Sequence, residues 1–144
     1  IKSLISFTHG EGFGRPLLEF TMAEKPVIAT GWSGHVDFLN KNLSTLLPVE
    51  MTDVHKESFP ENIYVEGAQW ATINYTQAAR VLKDIRSNFQ NYSFKGKKQG
   101  KINKNKFSLS AMTKVFDEIL SKHLPKFEEQ PQQMNLKLPK LKKS

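Results

Sequence analysis

Cysteine is absent from all 144 residues. That excludes disulfides and thiolate metal sites, and it suits a reducing cytoplasm, the location expected for this chain. Long apolar runs are missing too. No stretch approaches the ~20 residues that a membrane-spanning helix requires. No signal peptide is visible, and the chain opens on Ile1 rather than methionine, directly in an apolar run. No internal repeat is present, and no spacing of His, Asp and Glu suggests a metal site. Acids are scarce beside bases: 14 Asp and Glu against 21 Lys and Arg, a net charge of +7. The excess is local. Lys95, Lys97, Lys98, Lys101, Lys104 and Lys106 form one acid-free cluster, and Lys137, Lys140, Lys142 and Lys143 another; taking these ten from +7 leaves −3. The bulk of the chain is therefore mildly acidic, and the basic character belongs to one connector and the tail. Solvated lysines are the ordinary reading of such clusters. With Phe94 and Phe107 nearby, the sharper one is weak contact with an anionic membrane or a nucleic acid, though no nucleic-acid motif accompanies them.

What is present is concentrated near the start. Residues 3–7 are an apolar run of strand length. Gly10, Gly12 and Gly14 follow, and Pro16 sits where a helix tolerates a residue without an N–H. Leu17, Leu18 and Met22 continue as one helix face. The order is strand, tight turn, helix start. The unpaired N–H groups and dipole of a helix start favour an anion such as phosphate, and glycines let the backbone come close to it. Glu11 and Glu19 bracket this turn. A carboxylate repels phosphate, so each is expected to face something neutral. Sugar hydroxyls fit, since a carboxylate accepts two hydrogen bonds from a vicinal diol. The pattern Gly10-x-Gly12-x-Gly14 differs from Gly-x-Gly-x-x-Gly, and the next strand ends at Thr30 without an acid for a ribose, which excludes a nicotinamide-dinucleotide fingerprint.

Along the chain, a helix is expected over residues 14–24, ended by Lys25-Pro26. Residues 27–30 read as a strand apolar on both faces, as in a buried parallel sheet, so the unit is βαβ. A glycine turn at residues 31–34 and a short helix at 35–39 follow. Residues 44–49 read as an edge strand because of Pro48. Residues 50–67 read as a long loop. Ala78, Leu82, Ile85 and Phe89 recur at helical spacing and predict one amphipathic helix over 74–91. Gly96 and Gly100 argue against a well-formed helix through the lysine cluster. Ser108 is a good N-cap for a last helix with an apolar face of Leu109, Met112, Val115, Phe116, Ile119 and Leu120. From Leu124 on, proline, glutamine and lysine leave little to bury, and disorder is expected.

The nine residues Glu-Gly-Phe-Gly-Arg-Pro-Leu-Leu-Glu space Glu11 and Glu19 as Glu-x7-Glu. With the continuation Phe-Thr-Met-Ala-Glu-Lys-Pro-Val-Ile-Ala-Thr-Gly-Trp-Ser-Gly, the stretch resembles family 4 glycosyltransferases of the GT-B fold. The resemblance is strong over about residues 4–39, extends as a looser pattern to about 123, and is absent from the tail. It implies an α/β fold: residues 1–123 as part of a Rossmann-like, nucleotide-sugar-binding domain with further C-terminal helices, and 124–144 as a basic tail. It also implies transfer of a sugar, with retained anomeric configuration, from a nucleotide-diphosphate sugar to a glycan, lipid or protein acceptor. Glu11 would touch the donor sugar and stabilise charge at the anomeric carbon. Glu19 would hold the ribose hydroxyls. Main-chain N–H groups of Gly12, Phe13, Gly14 and Arg15 would face the sugar and diphosphate, and His9, Gly31 and Gly34 would support the cleft. The family requires neither a bound metal nor another cofactor. A whole enzyme of this fold is more than twice as long, so the chain is expected to be a C-terminal piece, inactive without the N-terminal domain that carries the acceptor site; the basic residues that the family uses against the diphosphate lie upstream of the motif, and none is identified in this chain. Two positions depart from the family pattern. Glu24 stands in place of glycine, which costs ~1 kcal/mol if the left-handed conformation is kept, and Phe20 stands in place of alanine. A sugar-nucleotide epimerase or phosphorylase of the same fold, and a non-enzymatic anion-binding module acting through the lysines, are the alternative functions.

Overall fold

The structure is a computed structural model that describes residues 1–60, 63 and 65–125. The disorder expected of the tail therefore concerns, from residue 126 on, residues outside the described ones. The chain is α/β. Three short strands, β1 (Leu4–Ser6), β2 (Val27–Thr30) and β3 (Thr45–Leu47), form a parallel sheet in the order β1-β2-β3, with Ile28 opposite both Ile5 and Thr45. Every residue of β2 is buried, as the run Val27-Ile28-Ala29, apolar on both faces, predicts for a central parallel strand. Helix α1 (Arg15–Met22) connects β1 to β2 and packs Leu17 and Leu18 against Val27, Ala29, Phe38 and Leu39. It is shorter than the expected 14–24. Gly14 is its left-handed N-cap, and the chain leaves the helix through Glu24, at φ 59°.

The expected loop over 50–67 is corrected. Pro48 separates β3 from β4 (Val49–Asp53), which pairs antiparallel with β5 (Gln69–Ile73), and a 3-10 turn (Lys56–Ser58) lies between them. The polar composition concealed the strand; two of its polar side chains meet diagonally across the ladder, Thr52 Oγ1 and Thr72 Oγ1 at 2.6 Å. Residues 35–39 likewise form only a 3-10 turn (Gly34–Asp37).

The single helix expected over 74–91 is two. Helix α2 (Tyr75–Ser87) starts on an Asn74 cap, whose side chain accepts from the Gln77 N–H at 3.0 Å, and stops at Asn88. Helix α3 (Phe89–Lys106) then runs straight through the lysine cluster, against the expectation drawn from Gly96 and Gly100. Both glycines are buried. A Cβ at Gly96 would lie 2.7 Å from Pro26 N, and one at Gly100 2.4 Å from Thr21 O. Their missing side chains let α3 lie directly on α1 and the turn after it, and that packing outweighs a propensity deficit of ~1 kcal/mol each. The lysines are left on the solvent side. Helix α4 (Leu109–His123) is capped by Ser108 as expected, yet it buries none of its residues among those described; Leu109 is 86% exposed. No helix of the described residues is long and apolar enough to cross a membrane.

Candidate functional site: two glycine turns at the carboxyl end of the parallel sheet

The site expected from the sequence lies where β1 and β2 end. In open parallel sheets with crossover helices this is the edge at which ligands collect. The first turn carries Glu11 to Gly14. Gly14 has φ 83°, and an added Cβ would lie 2.9 Å from the Cβ of His35, so glycine is required there on two counts. Its N–H donates to Glu11 Oε1 at 3.1 Å, which folds the Glu11 carboxylate over the turn. The first intrahelical bond runs from Leu18 N–H to Gly14 O. The N–H groups of Arg15 and Leu17 therefore precede the helical ladder, and Pro16 has none to offer.

Arg15 and Glu19 lie one helical turn apart and bond to each other, Nε to Oε1 at 2.6 Å, both largely in solvent. The hydrogen bond donated to Glu19, and then the charge of that carboxylate, hold the guanidinium above its ordinary pKa. As an exposed i,i+4 pair it adds little to the helix. It does preset the position of the Glu19 carboxylate. The Phe13 ring, 45% exposed, tilts against Phe38 and Phe107 in an aromatic trio with centroids 5.4–6.3 Å apart.

The second turn, Gly31 to Gly34, is locked to the first. Ser33 Oγ accepts from the Glu11 N–H at 3.0 Å and donates to the Glu11 carbonyl at 2.6 Å, and the Gly34 N–H donates to the same carbonyl at 3.0 Å. Gly34 lies so close that a Cβ would fall 2.0 Å from Gly12 O. Ser33 itself has φ 78° and ψ −172°, a region that is almost exclusively glycine's and costs of order 1–3 kcal/mol for other residues. Trp32 beside it is 47% exposed. Behind the two turns His35 is fully buried. Its Nε2 donates to Thr30 O at 2.6 Å, which assigns the tautomer, and its Nδ1 is buried without a partner among the described residues.

His9 leans the other way, onto the β4–β5 hairpin. Its ring stacks on Trp70 at 4.0 Å and 5°, and its Nδ1 donates to Ala71 O at 2.8 Å, leaving Nε2 as the acceptor nitrogen. The structure thus gathers Glu11, Gly12, Phe13, Gly14, Gly31 and Gly34 into one pair of interlocked turns. Arg15 and Glu19 stand on the helix above, and His9 at the flank. Sequence reasoning passed over Ser33, Trp32 and Trp70. The signal for Ser33 was faint: a small hydroxyl residue between two glycines. No group of three side chains suited to a metal ion occurs among the described residues. No family model, curated protein or solved structure matches the chain.

Proposed function

We propose that this chain is the donor-binding part of a GT-B glycosyltransferase resembling family 4, that it holds a nucleotide-diphosphate sugar, and that the sugar passes to an acceptor with its anomeric configuration retained. What supports the reading is the junction of the two turns. A helix start with N–H groups outside the ladder lies at the carboxyl edge of a parallel sheet, flanked by the carboxylates of Glu11 and Glu19. In this assignment Glu11 meets the sugar, Glu19 meets the ribose hydroxyls by exchanging its Arg15 bond for them, and main-chain N–H groups from Gly12 to Arg15 meet the diphosphate. Since the Gly14 N–H is bonded to Glu11, phosphate contact falls to the other amides of the turn unless Glu11 swings outward to the sugar. The Rossmann-like classification, the cytoplasmic location and the inactivity of this piece without an N-terminal domain belong to the same proposal.

Glu19→Ala in the complete enzyme should weaken donor binding about tenfold or more, since losing the acceptor of two hydrogen bonds to a ribose leaves those hydroxyls unpaired. Calorimetry with the sugar nucleotide measures it, and unchanged affinity defeats the ribose assignment. A non-enzymatic anion-binding module is favoured by one observation: Lys97, Lys101 and Lys104 all lie exposed on α3. Neutralising the lysines of 95–106 would abolish function in that case, whereas a transferase would keep its donor affinity.

A further inference from the structure

The Trp32–Ser33 pair is the part of the second turn that the reading above leaves unused. Three facts meet there. Ser33 is held in glycine's backbone region by a reciprocal pair of hydrogen bonds to the main chain of Glu11. An indole is left 47% exposed beside it, although an apolar side chain of that size gains most by burial. The next buried side chain, His35, packs its Cβ against Gly14 and carries a nitrogen with no partner among the described residues, an unmet hydrogen bond of the kind that a ligand or water satisfies. Strain sustained by specific hydrogen bonds is characteristic of ligand clamps.

We propose that this turn is the sugar-side clamp of the donor site: Ser33 is a positioning residue that sets Glu11, and the Trp32 indole is the apolar wall on which the C–H face of the sugar ring stacks. The inference rests on the donor-binding reading above. The sugar end is chosen because every hydrogen bond between the two turns involves Glu11, the residue assigned to the sugar, and none reaches Glu19. The ligand chemistry is therefore a pyranose with an exposed apolar face, and discrimination between sugars falls to Trp32.

The chain contains two tryptophans, Trp32 and Trp70, so Trp70→Phe leaves Trp32 as the sole indole. Its emission is followed while UDP, GDP and ADP, and then UDP-glucose, GDP-mannose and ADP-glucose, are titrated in. At least one sugar nucleotide should change the emission, and its parent diphosphate should do so less. In the complete enzyme, as for Glu19→Ala, calorimetry supplies a second measurement that does not depend on the Trp70 variant. Trp32→Ala should lower affinity for that sugar nucleotide about tenfold and leave the diphosphate within twofold. Ser33→Gly, which frees the backbone but removes the hydroxyl, should keep or raise the melting temperature while the preference for sugar nucleotide over diphosphate falls. A purely structural Ser33 would move both affinities and stability together, and that result overturns the proposal. So does a preference unmoved in both Trp32→Ala and Ser33→Gly when nucleotides do bind. If no nucleotide binds the complete enzyme, the donor-binding reading falls and this inference with it.

Discussion

At the scale of single residues, two non-glycine residues among those described lie at positive φ, and they differ in what holds them. Ser33 is anchored by hydrogen bonds to Glu11. Glu24, at φ 59°, is compensated by an ion pair, its carboxylate 2.7 Å from Lys104 Nζ on α3. The hydrogen bond from Lys104, and then its charge, hold the Glu24 carboxyl below its usual range. The left-handed backbone is intrinsic to the position, while a partly exposed pair adds little. Glu24→Gly should therefore shift the urea midpoint upward despite losing the pair. A downward shift would mean that the link to α3 outweighs the backbone cost. A non-glycine residue where the helix ends was legible in the sequence at this position. The ion pair was not, because Lys104 lies eighty residues away in the chain.

At the scale of elements, local pattern and long-range packing divide cleanly. Helix α1, strand β2 and the cap at Ser108 were readable because periodicity, proline placement and capping chemistry act within a few residues. Helix α3 was misread because glycine propensity is a local quantity, while its value here is the approach of two backbones. From inside α3, Gln99 also donates to Phe38 O and accepts from the Asn40 N–H, and Asn103 donates to Thr21 Oγ1, so this helix clamps both α1 and the segment that follows the second turn. Gly100→Ala should cost about 1–3 kcal/mol by chemical denaturation, since the nearest atom is the backbone carbonyl oxygen of Thr21, which cannot step aside. A neutral result would show that α3 can slide on α1. Helix α4 behaves oppositely. With no buried residue among those described, its removal should leave the melting temperature of the rest within a few degrees, provided Phe107, part of the aromatic trio, is kept. A large drop would show that α4 covers part of the core. An apolar face left in water is also a site of self-association, so the shortened chain should remain monomeric at higher concentration in sedimentation experiments.

At the scale of the whole molecule, pH sensitivity concentrates where α2 meets α3. Asp84 accepts from the Tyr92 hydroxyl and the Asn88 amide, each at 2.5 Å, and these hydrogen bonds hold its carboxyl below the usual range. Burial, followed by the Asp84 hydrogen bond, pushes the Tyr92 hydroxyl up to about 12. The signs follow from linkage. Depressed carboxyls at Asp84 and Glu24 contribute stability that is present above the unfolded values of 3.8 and 4.5 and is lost as pH falls through the lower folded ones. The raised Tyr92 contributes stability present below its unfolded value of 10.0 and lost as pH rises toward about 12. A plot of melting temperature against pH should therefore fall below about pH 4 and again above about pH 10. Tyr92→Phe should flatten the alkaline limb and weaken the acid one. An unchanged profile in that variant would remove the pair from the account.

By itself the order of residues determined the strand–turn–helix start, the buried parallel strand β2, the acidic residues eight apart and the basic connector, because each is written in neighbours within a few positions. Only the tertiary structure decided that β4 and β5 pair, that a glycine-bearing lysine run is a close-packed helix, and that Ser33 locks two turns together. Those outcomes depend on atoms brought together from distant parts of the chain, or on which of several partners a side chain meets in three dimensions. No local pattern carries that information.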